Sequence, residues 1–360
     1  MATGDANLDM EKVQQLAERL FGYLGGALVS ATVYLGERMG LYQALAGAGP
    51  VTSEELARKT GLHERWIREW LMGQAAANLV TYRGDGRFEL TPEAAMVLSD
   101  ERSPMFMTGG FCALPQQMAV LDRLPQAFKT GIGLNYDALG PEVNRSVERL
   151  LAPWFRNQLV PVALPALDGV VDKLKAGAKV ADIGCGAGVA LIEMAKAYPR
   201  STFHGYDIAK IPLGYAAENA NKAGVRNVSW HDARVDLLPS DASFDFITTF
   251  DCLHDMTRPD LIMQAIRKAI KNDGTWLIAD VHGQPTFEQN LTDNPLAPLM
   301  YGFSVLCCMS SALSEPGGLG LGTLGFPEPV ARKMTSEAGF TRFKVKDFEN
   351  PINAYYEVRP

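Results

Sequence analysis

The sequence predicts a two-part α/β chain, in which a mainly helical N-terminal module of winged-helix pattern precedes an open, doubly wound, Rossmann-like sheet. Three observations predict it. Val180 to Gly188 reads as a buried strand that runs into a glycine turn and opens a helix over Val189 to Ala197. Apolar strand-like runs then alternate with helical stretches to the C-terminus, and several end on polar residues, where open parallel sheets bind ligands. Ahead of them, residues 51–90 give helix, turn, helix and a strand pair joined by a glycine turn. These signals divide the chain into a winged-helix domain over 1–100, a helical linker and cap over 101–170, and the sheet domain over 171–360.

From the N-terminus, residues 8–48 read as amphipathic helices with an apolar face that includes Val13, Leu16, Leu20, Leu24 and Leu28. Such a face needs a larger partner surface than one small domain supplies, which points to a homodimer. Val51 to Gly61 gives a capped helix with Ser53 as the expected N-cap, and His63 to Asn78 gives a second helix. DNA-reading modules share this pattern, yet acidic residues outnumber basic ones in residues 1–100, and the second helix carries Glu64, Trp66, Glu69 and Trp70. A phosphate-binding face would be basic, so the module reads as scaffold and nucleic acid is not the expected partner. The stretch from Pro104 to Val170 is helical, broken by prolines and rich in Met and aromatic residues, as a cap would be.

The N–H groups at the start of the 189–197 helix would point at whatever sits over Gly184, Gly186 and Gly188, and a nucleotide-like cofactor suits that position. A dinucleotide fingerprint wants a glycine where Val189 stands, which disfavours NAD. The next strand, Thr202 to Tyr206, ends on Asp207, the position that faces ribose hydroxyls, with Ile208 beside it for the adenine. Asn227 to Trp230 runs into Asp232 and Ala233, placed for the adenine edge. Phe244 to Phe250 is a fourth strand, and Thr275 to Asp280, behind an Asn272–Gly274 turn, a fifth. His204 and His231, within or at the end of strands, read as structural. The insertion 282–326 ends in Gly317 to Gly322, a glycine density that suits a movable loop. Tyr301 is the acceptor-pocket candidate within it, and the Cys307–Cys308 pair reads as small buried apolar residues.

Asp182 with Gly184, Gly186 and Gly188 is similar to the first motif of class I S-adenosylmethionine methyltransferases, and the order of elements over 165–360 resembles their small-molecule catalytic domain. The closing pair Thr341 to Phe348 and Ala354 to Val358 fits the reversed last strand of that seven-stranded fold. The resemblance implies S-adenosylmethionine as cofactor, Asp182 at its methionine end and Phe250 near its sulfonium. Phe250 to Met256 resembles the segment of O-methyltransferases in which a histidine deprotonates the acceptor, and His254 matches that histidine. Asp280 stands where these enzymes often carry a glutamate to orient the base; Asp255 is the other carboxyl beside it, and His282 the second choice of base. An ordinary histidine base would give an acid limb near ~6.5. Tyr136 and Trp154 lie in segments that resemble linkers placing aromatics over the donor, where a ring face favours a sulfonium. The N-terminal module is similar to the one that dimerises these enzymes. The substrate so implied is a small molecule methylated on oxygen, with sulfur or nitrogen open. The competing function is a regulator that binds the same cofactor and reads DNA.

Composition bounds the rest. A chain of 360 residues, 47% apolar, can bury a full core, and a net charge of -7 disfavours a polyanionic partner. No apolar run approaches the ~20 residues of a membrane span, and the acidic, polar start carries no signal-peptide pattern, so a cytoplasmic protein is expected. The odd set of five cysteines, without a C-x-x-C pair, fits reduced thiols and no metal site.

Overall fold

The computed structural model describes residues 8–360 and divides into two compact units, residues 8–114 and 115–360. In the first, a long helix, Met10–Arg38, starts where Asp9 accepts from the Lys12 N–H. The helix pair Ser53–Thr60 and Glu64–Ala76 follows, with the strands β1 (Val51–Thr52), β2 (Thr81–Gly84) and β3 (Arg87–Glu89) in the order β1-β3-β2. The N-cap of the 53–60 helix is Thr52 and not Ser53: Thr52 and Glu55 close a reciprocal capping box, while the Ser53 hydroxyl bonds to Glu64. Leu41, Tyr42, Ile67, Leu71 and Phe88 fill the core of this unit. Only Val33 and Gly36 of the long helix are buried, and its apolar side from Val13 to Leu28 is exposed, with Leu16, Leu20 and Leu24 all more than half accessible.

The second unit is built on seven strands: β4 (Lys179–Ile183), β5 (Thr202–Asp207), β6 (Val228–Asp232), β7 (Phe244–Phe250), β8 (Ile270–Val281), β9 (Arg342–Lys346) and β10 (Asn353–Arg359). Their order is β6-β5-β4-β7-β8-β10-β9. The pairs from β6 to β8 are parallel, and β10 lies antiparallel to both β8 and β9. Side chains alternate between two cores. Val180, Phe203, Phe246 and Leu277 pack under the 155–176 helices and the Val189–Ala197 helix. Ala181, Ile183, Ile247, Trp276 and Ile278 pack under the helices Pro259–Ala269 and Glu328–Glu337. Burial on both faces explains why the strands read as continuous apolar runs.

Two local expectations fail. Residues 272–274 are no turn: β8 is continuous through them, and the register with β7 slips between Phe244↔Ile270 and Phe246↔Thr275, so the extra residues form a bulge. The glycine run 317–322 is strapped down rather than movable, since Leu319 N–H donates to Thr257 O (2.9 Å) and Gly322 N–H to His254 O (3.1 Å). Its glycines serve close approach. A Cβ on Gly318 would stand 2.2 Å from Ala312 O, and one on Gly322 2.5 Å from Ser304 Oγ.

Candidate active site

A cavity of about 500 Å³ opens at the C-terminal ends of β4, β5 and β7. Its floor is the turn after β4. Gly184 and Gly186 take positive φ there, +72° and +52°, which glycine adopts without strain. A Cβ on Gly184 would collide with Cys252, 2.7 Å away, whereas one on Gly186 would meet nothing within 4 Å. Asp207, at the end of β5, accepts from the Gly186 N–H (2.9 Å) and the Ala209 N–H (2.8 Å), so one carboxylate clamps the turn to the next strand. Asp182 lies below, 2% exposed, and accepts from Thr248 Oγ1 (2.7 Å); burial pushes its carboxyl up to about 7, against that hydrogen bond. Burial raises Asp207 as well, opposed by its N–H donors.

The far wall is the segment after β7. Asp251 holds φ +49°, donates its N–H to Ala279 O and accepts from Asn353 Nδ2; burial and then Asp280 push its carboxyl up to about 7. Asp255 lines the same wall, and burial holds it well above the usual carboxylate range. Behind them lies His254, 3% exposed, whose Nδ1 meets Asp280 Oδ1 at 2.5 Å; Asp280 Oδ1 also accepts from the Val281 N–H. Oδ2 of Asp280 is buried without a partner. Burial alone would lower His254, but the charge of Asp280, then of Cys308, outweighs it and holds the imidazole well above its ordinary range. The 2.5 Å pairing fixes Nδ1 to the carboxyl, and a ring held this way can hold or move a proton only at Nε2.

Two family models match the chain: a methyltransferase domain over residues 174–307 and an Rv2258c-like winged helix-turn-helix domain over 27–100. The chain carries a methyltransferase domain behind a winged-helix domain. Curated relatives include the ubiquinone biosynthesis O-methyltransferase of Paracidovorax citrulli, 30% identical over 120 residues, which are 33% of this chain and 49% of that protein. The enzyme of the same name from Acinetobacter baylyi is 27% identical over 162 residues, 42% of this chain and 66% of the relative. The match thus spans from about half to just under two thirds of those relatives' length. Among solved structures, human N-acetylserotonin methyltransferase in complex with SAM superposes with a TM-score of 0.69 at 18% identity, covering 100% of this chain and 99% of that one. A Nostoc punctiforme protein, itself a candidate O-methyltransferase, gives a TM-score of 0.73 at 19% identity over 95% of this chain and 98% of that one. At these identities the likeness is one of fold.

The methyltransferase domain brings many of the expected residues to one cavity. Asp182, Gly184, Gly186, Asp207, Ile208, Ala233, Phe250, Asp255 and Tyr136 all line it. Others stand elsewhere. Asp232 is turned away onto Arg234, whose guanidinium reaches both its oxygens at 3.0 and 3.1 Å, and Arg234 takes the place on the wall. Gly188 opens the 189–197 helix with φ +75° and serves packing, since a Cβ there would lie 2.3 Å from the Trp230 ring. Trp154 stacks on Tyr355 (5.0 Å, 19°) behind Phe250 and does not reach the cavity. His282 is exposed, with its N–H on Ile352 O, and Tyr301 packs edge-on against Phe287; neither lines the cavity. His254 itself is recessed behind Asp251 and Asp255. His204 and His231 are structural as expected: they meet at 3.2 Å, and His231 stacks on Tyr206.

Sequence reasoning missed Asp251, Arg234, Asp137 and Glu148 on the wall. Asp251 had a signal, its place at the end of a strand. The others come from segments whose approach no local pattern encodes. The cavity suits the cofactor that the sequence implies: its volume falls in the range of small-molecule sites, and Gly186 leaves open the space a Cβ would fill. Asp137 Oδ1 is buried without a partner on the same wall, ready for a donor group. Among the described residues no helix is long and apolar enough to cross a membrane.

Proposed function

We propose that this chain transfers a methyl group from S-adenosylmethionine to a hydroxyl of a small-molecule acceptor, and that it works as a homodimer. The observation that carries the reading is convergence on one cavity: the Gly184–Gly186 turn clamped by Asp207, facing the segment that holds the His254–Asp280 pair. The donor, when bound, supplies an electrophilic methyl on a sulfonium, taken by direct displacement. The protein's tasks are to align the acceptor with it, exclude water and receive the acceptor's proton.

Each task has residues. Asp182 and the glycine turn fit the methionine end, Asp207 the ribose hydroxyls, and Ile208 and Ala233 the adenine. Tyr136 and Phe250 offer aromatic faces to the sulfonium. His254, fixed by Asp280, handles the proton. The competing reading, a regulator that reads DNA, has little support: the 64–76 helix pairs Arg65 with Glu69 and Arg68 with Glu64, which leaves few uncompensated cations for phosphates. The dimer reading is supported by the exposed apolar side of Met10–Arg38.

Calorimetry with S-adenosylmethionine and its demethylated product tests the cofactor. Neither binding at about millimolar concentration while NAD does would sink the proposal. A product screen over phenols, amines and thioethers tests the acceptor atom, and methylation of thioethers alone would overturn the hydroxyl reading.

A further inference from the structure

One face of the cap helix Pro141–Trp154 is turned onto the cavity. Asn144, Val147, Glu148 and Leu151, at helical spacing, line it together with Gly184, Gly186 and Ala187 of the glycine turn. Two polar side chains on that stripe need a reason. Asn144 is 4% exposed; its Nδ2 donates to Gly140 O (2.9 Å), which fixes the amide, and its Oδ1 is buried with no partner. A buried acceptor left unpaired costs free energy, and an apolar side chain of similar size would avoid that cost.

Glu148 stands one turn further along the same face. Its Oε1 accepts from Asn219 Nδ2 (2.7 Å), which also donates to Ala187 O (3.1 Å), and its Oε2 accepts from Arg145 (3.1 Å). The carboxylate is therefore held in place one side chain away from the end of the glycine turn, with lone pairs still open to a ligand. Arg145, which pairs with it, lies over the Tyr215 ring (3.8 Å) and is not on the cavity wall. The wall also includes Val189 and Ala190, the start of a helix that no side chain caps. Their N–H groups suit a carboxylate.

Amide oxygen, carboxylate and free helix N–H groups on one wall make a receptor for an α-amino acid group. We propose that Asn144 Oδ1 and Glu148 receive the ammonium of the donor's amino-acid tail while its carboxylate takes the N–H groups of Val189 and Ala190, so that the cap helix selects an adenosine that carries an amino acid. The identity of that ligand rests on the methyl-transfer reading. Selection works by what other adenosines lack. 5′-Methylthioadenosine, which has no amino-acid tail, would leave the buried Asn144 oxygen unpaired, and a nucleotide polyphosphate would bring negative charge to the Glu148 carboxylate.

Calorimetry on the full chain with three probes tests it: S-adenosylhomocysteine, its analogue without the amino group, and 5′-methylthioadenosine. The wild-type protein should bind S-adenosylhomocysteine about tenfold or more tightly than either of the others, the effect of a hydrogen bond to a charged group. Asn144→Leu and Glu148→Gln should each weaken S-adenosylhomocysteine by about tenfold and leave 5′-methylthioadenosine unchanged, a split that a merely structural role would not produce. Wild-type protein that binds the deaminated analogue as tightly as S-adenosylhomocysteine overturns the proposal. So do variants that keep wild-type affinity, or that weaken all three probes alike. If Asn144→Leu does not fold, the deaminated analogue on the wild-type protein decides the matter without a mutation. Equal binding of all three probes would refute this subsite and leave the methyl-transfer reading standing, whereas binding of none would refute both.

Discussion

At residue scale, three glycines in one turn do different work. Gly186 faces open space at φ +52°, so Gly186→Val should cost the fold about 1–2 kcal/mol for the left-handed backbone and place a branched side chain where the donor belongs. Calorimetry should show donor affinity down tenfold or more, and wild-type affinity would refute the placement. Gly188→Ala should instead harm stability more than binding, because its Cβ meets the Trp230 ring. For His254→Ala, donor affinity should stay near wild type while turnover of a hydroxyl acceptor falls by roughly two to four orders of magnitude. Retention of most activity would mean that the proton has another destination. Since Asp280 and Cys308 hold the imidazole well above its ordinary range, an acid limb at the ~6.5 of a free histidine is no longer expected.

At the scale of elements, the exposed apolar side of Met10–Arg38 is the feature that one chain leaves unsatisfied. Replacing Leu20 and Leu24 with Asp should convert the protein to a monomer in light scattering without unfolding the winged-helix core, which touches the long helix only near Val33 and Gly36. A wild-type monomer at micromolar concentration would remove the dimer. The sequence located the elements well: the 189–197 helix and β7 fall where the apolar runs and glycines put them. It failed where the deciding contact is distant. The bulge at 271–274 exists because β8 must pair with β7 on both sides of it, and the glycine run is tight because other segments crowd it.

At the scale of the whole molecule, buried carboxyls make stability depend on pH. Asp182 and Asp251 rise from 3.8 to about 7 on folding, so the folded state binds more protons over that window. The stability they contribute is fully present below the unfolded value and is lost as pH rises through about 7. Asp207, Asp255 and His254 are raised too and act in the same direction, while Cys308 works the other way. The donor-free protein should therefore melt at a lower temperature at about pH 8 than at about pH 5. S-adenosylmethionine, a cation set among these carboxyls, should stabilise the protein more at the higher pH. A melting temperature that rises with pH over this range would contradict the burial of these groups.

Local sequence determined the strand-turn-helix at 179–197, the run of strands after it and the winged-helix pattern, because period, glycine and capping signals act within a few residues. It also located Asp207 at the end of β5 and His254 just past the end of β7. Only the tertiary structure decided which side chains reach the cavity. Asp232 is held by Arg234, Trp154 is taken by Tyr355, and Tyr301 and His282 lie elsewhere. The His254–Asp280 pair is likewise tertiary. Its members come from a 3-10 turn and a strand end, and no spacing in the sequence encodes the angle at which those two backbones meet.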